Sequence, residues 1–340
     1  MKKIFPFAIL TIFSFILTFF PGCDELVTKE NYTYDTVTLI INDSICVTCH
    51  SDNINSPTLQ AKRSWLYSGH SSDSLSNFEY YGSNTKDCGP QCHTAQGFIQ
   101  SLAGSTIDTA TIFSEIGCFT CHKPHTSLDY RLRDSASVTL ASGYFYNRNQ
   151  SNICARCHRS TANPATVVVA PATITEKWGP HASTAADMLI GHSGFQYPDS
   201  IYNNSPHYAA MTNGCLRCHQ DSTQGSNLGG HSNRLSDGPV LLTSSCNGEL
   251  CHSDPELTSF AGVNSLQDEY ALLIDSLKVR LIAANLLTVD DLPVARTIET
   301  IDSLGALYNY LFVKNDRSQG VHNTKYAVTL LKQSIIDLDI

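Results

Sequence analysis

Six times along this chain a pair of cysteines is followed directly by a histidine. The six sets are Cys46, Cys49 and His50; Cys88, Cys92 and His93; Cys118, Cys121 and His122; Cys154, Cys157 and His158; Cys215, Cys218 and His219; and Cys246, Cys251 and His252. This is the pattern that covalent haem attachment needs. Two thiols add across the haem vinyl groups, and the adjacent imidazole is set under the iron as its proximal ligand. Twelve of the thirteen cysteines fall into it. Six disulfides would use the same twelve thiols but give no reason for a histidine behind every second one. A structural zinc site joins two separated ligand pairs into a tetrahedron, which a cysteine and the very next histidine do not readily share. Four motifs have a two-residue spacer, Cys88 to Cys92 has three and Cys246 to Cys251 has four. Gly89-Pro90 and Gly248 supply the turn chemistry that lets the longer spacers bulge.

Function then depends on what lies across each iron. Seven histidines remain for six open positions: His70, His125, His181, His192, His207, His231 and His322. Apart from Met1, only Met188 and Met211 could offer a thioether, and neither has a ligand-like setting. Thioether ligation raises a haem's potential, so its scarcity points to iron held by two histidines at low potential. His70, His181, His207 and His231 sit beside Gly or Pro, where the backbone can approach a flat cofactor closely. His125 follows His122 by three residues, too close to reach the opposite face of the same porphyrin, so it serves a neighbouring haem or none. His322 lies far downstream at a helix start. His192, between Gly191 and Ser193, reads as a structural or surface histidine held in reserve. Trp65, Trp178 and Tyr208 adjoin these histidines as packing groups, for porphyrin edges or for an ordinary core.

Positioning six large apolar cofactors is a demand on the whole chain. Residues 1–22 read as a lipoprotein-type export signal, with Lys2 and Lys3 ahead of an apolar run from Ile4 to Phe20. Cys23, the one cysteine outside the motifs, is then the candidate for lipid attachment. No other segment approaches the roughly 18 apolar residues of a membrane span. The remaining 318 residues carry 20 Lys and Arg against 31 Asp and Glu, a net charge of −11 that excludes nucleic acid as a natural partner. With roughly fifty residues per haem, the haems are expected to supply much of the core, and 20 Gly with 13 Pro fit a loop-rich wrap. Residues 23–45 form a tether with a strand-like patch at Val37–Ile41, and residues 46–255 a haem domain without a fixed repeat period. Beyond it, residues 256–340 turn helical. Leu266, Tyr270, Leu273, Leu277, Leu281 and Ala284 mark one amphipathic helix. A second runs roughly from Val294 to Val313, and a third from Thr324 has Ala327, Leu331, Ile335 and Leu338 on one face, with Gly320 breaking the chain before it. This layer packs on the haem core or forms a subunit interface.

Several stretches carry a family resemblance: Trp65 to Ser71 around His70, Cys121 to His125, Trp178 to His181, Ser205-Pro206-His207, Gly229-Gly230-His231, and Gly320 to Asn323 with Tyr326-Ala327. Together with the haem motifs they resemble bacterial multihaem cytochromes c, a superfamily of pentahaem nitrite reductases, octahaem enzymes and electron carriers, over about residues 46 to 335. The resemblance implies a mainly α fold with extensive loops, organised around stacked covalent haems. It also implies that His70, His125, His181, His207, His231 and His322 are distal ligands, leaving His192 without an iron. Six haem c groups with both faces occupied leave no vacant site for a substrate, which favours an electron carrier over an enzyme. Expected partners are redox donors and acceptors of the cell envelope, with the membrane reached through Cys23, in the periplasm or at the cell surface, and self-association allowed. One alternative is a reductase or dehydrogenase with one open haem acting on a small nitrogen or sulfur compound. Nitrite reductases use Lys at the active motif and all six motifs here end in His, which puts nitrite reduction in doubt. Another alternative is a polymeric filament in which His322 or His70 is donated to a neighbouring copy.

Overall fold

The computed structural model describes residues 57–71, 89–107, 113–123, 130–181, 183–221, 227–247, 251–253 and 266–338. The export signal, Cys23, the tether, the first motif (Cys46, Cys49, His50), Cys88 and His125 lie outside them.

Among the described residues nine short α-helices come first: α1 (Pro57–Trp65), α2 (Gly89–His93), α3 (Ala95–Leu102), α4 (Cys118–Cys121), α5 (Asn152–Ala155), α6 (Pro164–Val167), α7 (Ala185–Leu189), α8 (Pro206–Ala210) and α9 (Leu216–His219). Three long ones follow: α10 (Leu266–Ala283), α11 (Ile301–Asp316) and α12 (Thr324–Asp337). Three two-stranded antiparallel sheets pair β1 (Val138–Thr139) with β2 (Phe145–Tyr146), β3 (Ala172–Ile174) with β6 (Arg296–Ile298), and β4 (Ser236–Asp237) with β5 (Val240–Leu241). No helix among the described residues is long and apolar enough to cross a membrane.

The long helices follow the apolar pattern, with one correction. The second was expected from Val294, but Arg296–Ile298 is a strand and the helix starts at Ile301. Ala172–Ile174 claims that segment by cross-strand pairing, and Thr300 then caps the helix, its side chain accepting from the Ser303 amide at 3.3 Å. From Leu304 to Val313 every side chain of α11 is buried, so this helix is covered on all sides rather than amphipathic. Around it gather Leu277 and Leu281 of α10, Leu330 and Leu331 of α12, Ile174 and Ile298 of the β3–β6 sheet, and Met188 of α7. A conventional apolar core therefore exists beside the haem motifs. It draws on both sides of residue 255.

Buried polar groups fix the register of this core. Asn309 donates to the Phe195 carbonyl at 2.9 Å and to Ser334 Oγ at 3.0 Å, and accepts from the Phe195 amide at 2.8 Å. Thr184 donates to the Phe312 carbonyl at 2.7 Å. Burying such groups costs free energy unless they are paired, so they lock residues 184–195 onto α11 in one arrangement. A second, smaller cluster of Val138, Leu140, Tyr146, Ala155, Leu189 and Ile190 lies beneath the fourth motif, with Cys215 packed against it.

Candidate functional site

The three cysteine pairs described in full are each held by one tight turn. In Cys118–Cys121 the turn is α4 itself, and a three-residue step along a helix puts both thiols on one face. The histidine amide closes the turn onto the first cysteine's carbonyl at 2.9 Å in three motifs: His122 to Cys118, His158 to Cys154 and His219 to Cys215. The sixth motif, with its longer spacer, closes the same way. The His252 amide reaches the Cys246 carbonyl at 3.1 Å, so the extra residues leave the relation of Cys246 to His252 intact. In the second motif Cys92 and His93 end α2, on which α3 packs closely. A Cβ on Gly97 would come within 2.2 Å of the Pro90 carbonyl oxygen, and only glycine permits that approach.

Opposite these proximal histidines stand five of the candidate distal ones. Ring centres are 6.0 Å apart for His93 and His181, and 6.0 Å for His158 and His70. They are 6.2 Å for His122 and His231, 6.2 Å for His252 and His207, and 6.3 Å for His219 and His322. Two imidazoles bound to opposite sides of one metal, each with a metal–nitrogen bond of about 2.0–2.1 Å, bring their ring centres to about 6.2 Å. Direct ring stacking would be closer, as His192 shows: it lies on Tyr144 at 3.6 Å and 14° and, among the described residues, faces no other histidine. Met188 is fully buried in the main core, and Met211 packs against the smaller cluster.

Hydrogen bonds to the other ring nitrogen orient these imidazoles. Nδ1 of His122 bonds the Tyr130 carbonyl at 2.8 Å, that of His158 bonds Ser183 Oγ at 2.9 Å, and that of His219 bonds the Asn233 carbonyl at 2.8 Å. His207 uses the Val321 carbonyl at 2.6 Å, and His322 uses the Asp316 carboxylate at 2.6 Å. With Nδ1 engaged, Nε2 is the ring nitrogen that could bind a metal. Burial pushes His158 down to about 4 and also lowers His70, His219 and His231, so these rings are neutral, as metal binding requires. At His322 burial acts the same way, but the charge and hydrogen bond of Asp316 outweigh it and raise the ring.

The distal segments are held by the protein's own backbone. Gly229, at φ +67°, passes so close to Asp221 that a Cβ would sit 1.5 Å from its carbonyl oxygen, which fixes the turn leading into His231. Ser64 of α1 donates to the Gly229 carbonyl at 3.4 Å and accepts from the Ser232 amide at 2.9 Å, tying the His70 and His231 segments together. The turn at residues 321–323 serves two sites, presenting His322 and bracing His207, while Asn323 accepts from the Ser205 amide at 2.8 Å. The aromatic neighbours have protein partners. Trp65 donates to the Ile116 carbonyl at 3.0 Å, Trp178 stands edge-on to Tyr308 at 6.1 Å, and Arg148 lies over the Tyr208 ring at 5.4 Å.

Motifs also touch one another. The Cys157 thiol hydrogen-bonds Cys92, and its sulfur lies 4.0 Å from the Gln91 carbonyl oxygen. Cys154 hydrogen-bonds Cys215, and Ser151 Oγ accepts from the Leu216 amide at 3.0 Å. Arg217 reaches Cys251 Sγ at 3.9 Å. Among the described residues no three His, Cys, Asp or Glu side chains converge on one point as a zinc site would need. Cysteine pairs held in single turns, with each described motif histidine matched by an imidazole across a gap of metal-binding width, fit haem c.

Residues 112–163 match the family model of the doubled CXXCH motif. The structure is similar to that of the outer cell wall cytochrome OcwA, with a TM-score of 0.50 and 21% identity over 82% of this chain and 50% of that one. The fold is that of a multihaem cytochrome. The chain spans about half the length of that neighbour. No curated protein sequence matches it significantly. Its paired motifs carry covalently attached haem c.

Of the features sequence reasoning missed, the most consequential is Asp316. Six residues ahead of His322, it gave no signal, because no local spacing rule links a helix's last residue to the ring of a loop histidine.

Proposed function

We propose that the protein is an electron carrier of the cell envelope with six covalently bound haems, each iron held between two histidines. The five opposed imidazole pairs support this most directly. His50 and His125 lie outside the described residues; the first haem would take His50 as its proximal ligand, with His125, or His192 in reserve, as its distal one. Bound haem supplies reversible one-electron exchange between ferric and ferrous iron, with axial ligands, burial and nearby charge setting the potential. The chain's own residues fix the rings through their Nδ1 partners, cover both faces against exogenous ligands, and bring adjacent attachment cysteines into contact for transfer between neighbours. The apolar N-terminal run and Cys23 support export and lipid anchoring, and the fold neighbour is itself an outer cell wall cytochrome. Envelope redox proteins are the expected donors and acceptors. His70 and His322 both face proximal histidines of the same chain, so neither is left over for a second copy, which speaks against ligand exchange within a filament.

The test is low-temperature EPR of the oxidised, haem-loaded protein, integrated against total iron, with intact mass giving the haem count. All six irons low-spin is the expected result. A high-spin signal near one iron equivalent, altered by nitrite or hydroxylamine, would replace the carrier with an enzyme bearing an open haem.

A further inference from the structure

The five histidine pairs are alike in spacing but not in what stands behind the rings. Tyr130, Asn233 and Val321 offer backbone carbonyls to His122, His219 and His207, and Ser183 offers a hydroxyl to His158. These partners are all neutral. His322 alone is paired by a described residue with a carboxylate, that of Asp316 at 2.6 Å, whose side chain is only 1% exposed. Among the described residues Asp316 has no lysine or arginine partner. Ser318 Oγ donates to its second oxygen and accepts from the His322 amide at 3.2 Å, closing a small loop that starts at Arg317 in the left-handed conformation, φ +58°.

A metal-bound imidazole gives up electron density, and its Nδ1 proton becomes more acidic as the charge on the metal rises. A carboxylate on that proton therefore favours the ferric state over the ferrous, which carries one electron more and one positive charge less. Charge-assisted hydrogen bonds are about twice as strong as neutral ones, and burial keeps water from screening the charge. Such outer partners change metal-site properties by about 10–100-fold.

We propose that Asp316, acting through His322, holds the haem of Cys215, Cys218 and His219 at a lower reduction potential than the third, fourth and sixth haems. Asp316 is a positioning residue that touches the ligand and not the iron. The inference rests on the bis-histidine reading and gives the site a role within it: the last of these centres to accept an electron and the strongest reductant once filled.

The test compares wild type with Asp316→Asn by spectropotentiometric titration of the holoprotein, with EPR spin state recorded on the same samples. Asn keeps the size and an acceptor oxygen while removing the charge. One centre is expected to move positive by at least tenfold in its reduction equilibrium, about 59 mV for a one-electron couple, with its spin state unchanged. Removing the Ser318 hydroxyl with Ser318→Ala leaves the carboxylate more basic and should move the same centre the other way. Six low-spin irons with no centre displaced in either variant would overturn the proposal while leaving bis-histidine ligation standing. Loss of one low-spin signal in Asp316→Asn, with no shift in Ser318→Ala, would also overturn it, by showing that Asp316 only anchors His322. A high-spin centre already present in wild type would count instead against the bis-histidine reading beneath it.

Discussion

The motif-bearing part of the chain and the three-helix part are stabilised by different means. In α11 ten consecutive residues, Leu304 to Val313, are buried against other protein atoms. In α4, α5 and α9 the helices are four residues long, and Cys118 and Cys251 are exposed. A four-residue helix is far below the length at which helices hold themselves together in water. One part is thus a protein core in the ordinary sense; the other adds to a small apolar cluster a set of turns too short to hold themselves. Covalent cofactors can stabilise a fold that short helices cannot, provided a self-sufficient core stands beside them to present ligands such as His322.

The sharpest way to break this contrast is to remove the haem. Protein made without haem attachment, or with the motif cysteines changed to alanine, should lose protection from hydrogen exchange throughout α2, α4, α5 and α9. Amides of α10 to α12 should stay protected, by analogy with metal-dependent domains that unfold when stripped. The expected difference spans orders of magnitude in exchange rate. Uniform loss across the chain would mean that the helical core also depends on haem, and uniform retention would mean that the motif turns do not.

The same division explains what was legible in the sequence. Cys118, Cys121 and His122 are read at once because thioether chemistry demands local spacing. α10 and α12 are legible because one face of each meets the core, leaving a 3.6-residue period. α11 and β6 were not separated, since a helix buried all round has no such period. The partner of β6 also lies far off in sequence: the hydroxyls of Thr173 and Thr297 meet across 124 residues. Five of the candidate distal histidines stand opposite a motif histidine, but which faces which was not legible. Nothing in the residues around His70 says that it faces His158, because the tertiary path of the chain decides that.

Between the two parts runs a seam, and Asp187 lies on it. The carboxylate is fully buried in α7 and accepts from the Ser160 amide at 2.7 Å, two residues past His158. Burial pushes it up to about 6. An acid raised in the folded state stabilises fully below its unfolded value of 3.8, and that contribution is lost as pH rises through about 6. Asp187→Asn, which keeps an acceptor for Ser160, should therefore be more stable than wild type at pH 7 by on the order of 2 kcal/mol. The advantage should fade as pH falls from 6 towards 4, followed by guanidinium unfolding of the haem-loaded protein. A variant less stable at pH 7 would mean that the ionised carboxylate contributes more through its bonds across the seam than its burial costs.

Within the helical part a second carboxylate behaves in the opposite sense. Burial alone would raise Asp291, but hydrogen bonds from Lys278, Lys314 and Tyr310 bring it down to about 2. Lys278 lies at 2.8 Å and the Tyr310 hydroxyl at 2.6 Å, which pins the loop after α10 to α11. Here the contribution is present above the unfolded value of 3.8 and is lost as pH falls through about 2. The two lysines are 31% and 37% exposed, so solvent screening holds the effect to about 1 kcal/mol or less. Wild type should lose that much stability between pH 4 and pH 2 relative to Asp291→Asn, and added salt should shrink the difference. If Asp291→Asn loses just as much over that range, the acid sensitivity belongs to the motif-bearing part, and the helical core is the acid-resistant partner in the pair.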